Sequence, residues 1–177
     1  MTATIHLIKQ PNEEELMLFK RCCRTTIGKT EEPAKLPSSE MLRRVLTARH
    51  SPIRVLTFAF LIEDVPYWIA MHLRTHKHME CFIQSQRNDR QDAYDREAAR
   101  QDAPVNMIVY LNAEMLQVLA NKRLCNMAAA GTIKIVKTMC DMAEEAMPEL
   151  KGLLVPDCER HGGKCYEPDP CWRATKV

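Results

Sequence analysis

The sequence predicts an α+β fold in which a few strands are packed with amphipathic helices. Three observations lead there. Residues 54–63 (Arg-Val-Leu-Thr-Phe-Ala-Phe-Leu-Ile-Glu) form a β-branched and aromatic run that reads as a central strand buried on both faces. Asn12, Ser38 and Asn112 each precede an amphipathic stretch, where a short polar side chain can cap the first free N–H groups of a helix. The chain has 177 residues, 46% apolar and 27% charged, enough for one domain with a proper core. The expected division is one α+β unit over residues 1–150, with a cysteine-rich tail over 151–177 packed on it.

Taken in order, residues 3–9 read as a short strand. Asn12 then caps a helix whose first turn holds Glu13, Glu14 and Glu15, a polarity that complements the helix dipole. Leu16, Met17 and Phe19 supply its buried side, with Cys22 and Cys23 as core thiols. Residues 28–37 are a loop, and Ser38 or Ser39 caps a second helix to about Arg49. His50-Ser51-Pro52 breaks that helix ahead of the aromatic strand. Asp64-Val65-Pro66 is a turn, with Pro66 as the first residue of a helix through about Leu73. Residues 88–103 alternate acids and bases and suit an exposed loop or a solvent-facing helix. Residues 104–111 are apolar and fit either a strand or the approach to a helix. Asn112 caps a helix through about Met127, with Met115, Leu116, Leu119 and Leu124 as its core stripe. Gly131 separates it from a last helix over 132–146, where Ile133, Val136, Cys140 and Ala143 recur at helical spacing.

Chemistry concentrates between Arg74 and Arg90. Those seventeen residues carry four cations (Arg74, Lys77, Arg87, Arg90) and two imidazoles (His76, His78), with Ser85, Gln86 and Asn88 as further hydrogen-bonding groups. Arg grips phosphate bidentately and Lys meets it as a compact charge, so the stretch suits a phosphorylated ligand. The plainer reading is a solvated charged face. Net charge is only +2, so any anion site is local, and nothing global calls for nucleic acid or an anionic membrane. The N-terminal residues lack a signal-peptide core, and no apolar run approaches the roughly 20 residues of a membrane span. A cytoplasmic setting is the expectation. Eight cysteines are many for that compartment, where disulfides are disfavoured and thiols turn to metal or redox chemistry.

The order of these features resembles the flavin-dependent thymidylate synthases. His50-Ser51-Pro52, Phe58-Ala-Phe60, Thr75-His76-Lys77 and Ser85-Gln86-Arg87 occur in that family's order and close to its spacing. Asn112 then looks like the family's helix-opening asparagine, and Arg123 like its arginine three turns later. The likeness covers roughly residues 45–90 and 105–140. The chain departs from the pattern at the triplet, which reads Thr-His-Lys with Arg74 one place before it. The family's glutamate falls on Ile83, with Glu80 the nearest acid; its tyrosine falls on Asn88 and its late acid near Gly131. Short phage-type relatives of the family are similar in carrying Arg-Thr-His-Lys, Ser-Gln-Arg-Asn-Asp-Arg and Lys-Arg-Leu-Cys.

The resemblance implies a mixed or antiparallel sheet packed with helices, and methylation of dUMP to dTMP with FAD, methylenetetrahydrofolate and NADPH. It implies that Arg74, His76 and Lys77 hold the flavin, with Ser51 and Asn112 as further flavin contacts. Ser85, Gln86 and Arg87 would bind the nucleotide phosphate and sugar. Arg123 would hold the pyrimidine or the phosphate from the other side, and is the candidate to stabilise the charge that develops on the pyrimidine. It further implies a homotetramer and, for a phage-encoded chain, the host cytoplasm. Hydroxymethylation of a pyrimidine nucleotide is the near variant. A nucleotide- or nucleic-acid-binding protein that has lost flavin is the rival.

The tail is a separate signal. Cys158, His161, Cys165 and Cys171 are spaced C-x2-H-x3-C-x5-C around Gly162-Gly163, and three thiolates with an imidazole satisfy tetrahedral zinc. An iron–sulfur cluster, or free or paired thiols, are the alternatives.

Overall fold

A computed structural model describes residues 3–87, 89, 95 and 97–177 of the chain. Its centre is a four-stranded antiparallel sheet in the order β1-β2-β4-β3, built from Thr4–Lys9 (β1), Thr57–Pro66 (β2), Glu80–Ile83 (β3) and Pro104–Asn112 (β4). The α+β class is as the sequence predicts. Between the strands lie helices Glu13–Thr25 (α1), Ser39–Ala48 (α2) and Tyr67–Arg74 (α3), with a 3-10 turn over Ser51–Val55. Helices Ala113–Arg123 (α4) and Ala130–Ala146 (α5) follow β4. A second 3-10 turn (Pro148–Leu150), a single turn of helix at Asp157–Arg160 (α6) and a parallel pair Lys164–Cys165 (β5) and Thr175–Lys176 (β6) finish the chain.

Three of the helices begin where their caps were expected. Asn12 Oδ1 accepts from the Glu15 amide (2.9 Å), Ser38 Oγ from Met41 (3.2 Å) and Asn112 Oδ1 from Met115 (2.9 Å). Successive side chains of the sheet point to opposite faces, and β4 alternates buried with less buried positions along its length. Phe58, Phe60 and Ile62 of β2 and Met107, Val109 and Leu111 of β4 fill the core, against Leu73 of α3, Leu116 and Leu119 of α4 and Val136 and Met139 of α5. On the opposite face His6, Leu61, Ile108 and Phe82 lie in register across the four strands, and Phe82 is 64% exposed.

The structure corrects several expectations. β2 buries one face fully, while on the other Ala59 is buried and Leu61 and Glu63 are half-exposed. The strand opens at Thr57, since Pro52 at the start of 51–55 sets up a 3-10 turn instead. It runs on through 64–66, where a bulge with Asp64 at φ 55° replaces the expected turn. Cys22 and Cys23 are half-buried. α4 ends at Arg123, and Gly131 lies inside the first turn of α5, where a Cβ would come within 2.8 Å of Ile69 Cδ1. Glu80–Ile83 is a strand that the charged composition around it conceals.

Candidate functional site

The basic stretch folds back on itself as far as Arg87, with Arg74, Lys77 and Arg87 exposed along it. α3 ends at Arg74, and Thr75 Oγ1 donates to the His72 carbonyl (2.7 Å). His78, at φ 63°, reverses the chain into β3. β3 pairs Cys81 with Val109 and Ile83 with Met107. Gln84 prolongs that ladder: its N–H donates to Asn106 O (2.8 Å) and its Oε1 accepts from the Asn106 N–H (2.9 Å). Ser85, Gln86 and Arg87 therefore emerge from a fixed edge facing α3.

Between them is a hollow of about 210 Å³, lined by Tyr67, Met71 and Arg74 from α3 and by Ile83, Gln84, Gln86 and Arg87 from β3 and its extension. Two guanidinium groups and two amides thus meet an apolar wall. Arg87 is held toward Asp89 by two bonds (Nε to Oδ1 2.8 Å, Nη2 to Oδ2 2.7 Å), and Ser85 Oγ accepts from its N–H (3.3 Å). Both partners are well exposed, so the pair is weak and a phosphate can displace the carboxylate. Asn88 and Arg90 lie outside the described residues.

Arg123 is placed elsewhere. At the end of α4 it donates from Nε to His76 Nε2 (2.7 Å), and from Nη2 to the His72 carbonyl (3.1 Å) and to Thr75 Oγ1 (3.3 Å). His76 accepts through Nε2, so its proton sits on Nδ1. Burial first, and the Arg123 charge second, hold its pKa below the usual imidazole value. Arg123 also lines a second cavity of about 350 Å³, on the side toward the tail, with Asn121, Lys122, Cys125, Cys158, Cys165 and Cys171 among its walls.

The remaining candidates are dispersed. Lys77 is exposed in the turn after α3. Ser51 opens the 3-10 turn before β2, and Asn112 pairs with Thr57 at that same end of the sheet, with its Oδ1 committed to capping α4. α3 begins at the opposite end of β2. The tail tetrad is not assembled: His161 Nε2 meets Arg160 Nη2 (3.1 Å) and Asp157 Oδ1 (3.6 Å), and its ring packs edge-on against Tyr166. Among the described residues no three His, Cys, Asp or Glu side chains converge to hold a metal ion. None of their helices is long and apolar enough to cross a membrane.

No family model and no curated protein matches the chain in sequence. Solved structures do match it in fold. A UMP/dUMP methylase, PolB from Streptomyces cacaoi, bound with 5-Br dUMP, superposes with a TM-score of 0.67 at 12% identity, covering 85% of this chain and 94% of that one. Thymidylate Synthase X from Helicobacter pylori, with FAD and dUMP, superposes at 0.65 and 15% identity, over 88% and 98%. The chain has their fold. The superpositions take in most of this chain and nearly the whole of both neighbours.

Tyr67, Met71 and Gln84 line the hollow without having been singled out from sequence. Tyr67, Met71 and Arg74 stand at i, i+4 and i+7, one face of a helix, which is the signal that could have found the first two. Gln84 needed knowledge of β3. Cys125 is brought to the tail thiols by tertiary packing, and no local spacing marks it.

Proposed function

We propose that the chain is a flavin-dependent pyrimidine nucleotide C5-methyltransferase that converts dUMP to dTMP. The observation that carries this reading is the convergence of Arg74, Gln86 and Arg87 on one hollow, in a fold shared with a dUMP methylase and with Thymidylate Synthase X. Arg87 and Gln86, with Ser85 beside them, bind the phosphate and sugar. Arg74 takes the place of the family's first arginine toward the flavin phosphates. His76 and Lys77, on the turn that follows, flank it. The hollow fits a phosphate and part of a ring, and its volume is below the ~300–1,000 Å³ usual for a small-molecule site. A second copy of the chain completes it, in a homo-oligomer.

Reduced flavin, when bound, supplies the hydride, with methylenetetrahydrofolate as carbon donor and NADPH as reductant. The protein's own part is to orient the nucleotide and to place positive charge where the pyrimidine becomes an anion. Arg123 is the candidate for that charge. Its bonds engage Nε and Nη2, which brace the guanidinium against α3. A second reading, a nucleotide binder without flavin chemistry, is favoured by one observation: Arg123 lines the tail cavity rather than the hollow of Arg74 and Arg87.

Purified protein titrated with FAD is expected to gain a bound-flavin spectrum, and dUMP incubated with the folate donor, NADPH and FAD is expected to gain one methyl group by mass. A hydroxymethyl mass, or reaction of dCMP instead, assigns the variant activity. Nucleotide binding with no flavin uptake sinks the enzyme reading in favour of the binder. Arg87→Ala is expected to weaken dUMP binding by about 1.5–3 kcal/mol, the scale of a charge-assisted hydrogen bond, in a direct titration. Unchanged affinity moves the phosphate site elsewhere.

A further inference from the structure

Arg49 carries a charge that the fold holds in place without a counter-charge. It follows α2 at φ 53°, a left-handed position that helix ends usually give to glycine, and its side chain is half-buried. Nε donates to Gln117 Oε1 (2.7 Å) and Nη2 to Asn121 Oδ1 (2.6 Å), both on α4. Those residues are 1% and 4% exposed, and each amide is fixed from behind. Gln117 Nε2 donates to Leu46 O (3.2 Å) and Asn121 Nδ2 to Val155 O (2.6 Å). The guanidinium is therefore held in one orientation by neutral oxygens. Among the described residues its Nη1 meets no acceptor, and no carboxylate lies within ion-pair distance of it.

Arg49 lines a cavity of about 590 Å³ between the end of α2, α4, residues 152–155 and α6. That volume is within the ~300–1,000 Å³ usual for a small-molecule site. Arg160, the last residue of α6, lines it too. Two like charges on one cavity oppose each other: burial first, and Arg160 second, lower the Arg49 pKa, while Asp157 and Glu114 act the other way. The nearby acids are engaged elsewhere or weakly. Glu159 is drawn to Arg173 (3.6 Å), and Asp157 is shared between Arg160 (3.4 Å) and His161 (3.6 Å). The Arg160 pair is long and solvent-exposed, so it is readily displaced. Leu153 and Val155 add apolar wall. None of these residues lines the hollow of Arg74 and Arg87.

We propose that this cavity is a second anion site, which takes the phosphate group of a phosphorylated small molecule between Arg49 and Arg160. A carboxylate has two oxygens, and one guanidinium takes both; a tetrahedral phosphate has oxygens left for a second guanidinium arriving from another element. Arg49 offers the N–H groups of Nη1, and Arg160 turns from Asp157 to the remaining oxygens. The organic part of the ligand lies against Leu153 and Val155. Gln117 and Asn121 fix the first guanidinium before the ligand arrives, so little side-chain freedom is lost on binding. The site is separate from the proposed methyl transfer and does not rest on it.

The test uses the full chain, free of flavin and nucleotide, with inorganic phosphate as the probe in a calorimetric titration. Arg87→Ala silences the other hollow, so that failure of the nucleotide site and failure of this one read separately. In that background about one phosphate per chain is expected, with acetate unable to compete for it. Adding Arg160→Glu, at an exposed position, is expected to weaken phosphate binding by about 10–100-fold, the scale of a lost charge-assisted hydrogen bond. Arg49→Lys, which keeps the charge and loses the fork, is expected to weaken it as well. No phosphate uptake by the Arg87→Ala chain, unchanged affinity after Arg160→Glu, or competition by acetate each overturn the proposal. A lowered denaturation midpoint for Arg49→Lys with unchanged phosphate affinity makes Arg49 a clamp between helices and overturns it too. If Arg49→Lys does not fold, the Arg160→Glu titration decides.

Discussion

The Arg123 guanidinium donates to an imidazole nitrogen, so the contact lasts only while His76 is neutral. Burial, then Arg123, lower the His76 pKa in the folded chain. The unfolded chain therefore takes up the proton first as pH falls. The stability tied to this contact is fully present above the unfolded value of about 6.5 and is lost as pH drops through it toward the folded value. Denaturation midpoints measured from about pH 8 down to 5 are expected to fall for the unsubstituted chain and to fall less for His76→Gln, whose side-chain oxygen can accept from Arg123 at any of these pH values. Equal slopes for the two proteins would remove His76 from the account. The sequence marked both residues, by a motif and by a helix-end position, and placed neither against the other. Their meeting depends on how α3 and α4 pack.

Asn112 carries two readings, a helix cap and a flavin contact, and the structure shows the first. Its resemblance-based role is flavin contact, but its Oδ1 accepts from the Met115 N–H and its residue closes β4 opposite Thr57. As a cap it stabilises α4, so Asn112→Ala is expected to cost about 1 kcal/mol in chemical denaturation, and Asn112→Asp to retain most of that stability. Loss of flavin uptake with unchanged stability would return Asn112 to the ligand. Helices were legible because caps and apolar spacing are local. β3 was not: Glu80–Ile83 has four residues, sits among charges, and becomes a strand only because the edge of β4 offers it hydrogen bonds. The site hangs on that strand, since it aims Gln86 and Arg87 at α3.

At the scale of the whole chain, one face of the sheet carries the core and the other carries His6, Leu61, Ile108 and Phe82 in a row. The proposed homo-oligomer would complete a hollow too small for a nucleotide and a flavin together. Light scattering over a dilution series is expected to give a mass that is a multiple of 20.4 kDa. Phe82→Glu, on that row and next to Ile83 of the hollow, is the variant expected to lower it. A mass of one chain at every concentration would end the shared-site idea.

What the sequence determined by itself is everything set by neighbours along the chain: the helix starts at Asn12, Ser38 and Asn112, the aromatic strand, and the density of cations after α3. Only the tertiary structure decided which of those groups meet. It set Arg74 beside Arg87 across a hollow, turned Arg123 to His76, and brought Cys125 to the cavity that the tail thiols line. The reason is physical. Caps and amphipathic faces depend on residues a few positions apart, whereas a site depends on contacts between elements whose approach is fixed by the packing of the core between them.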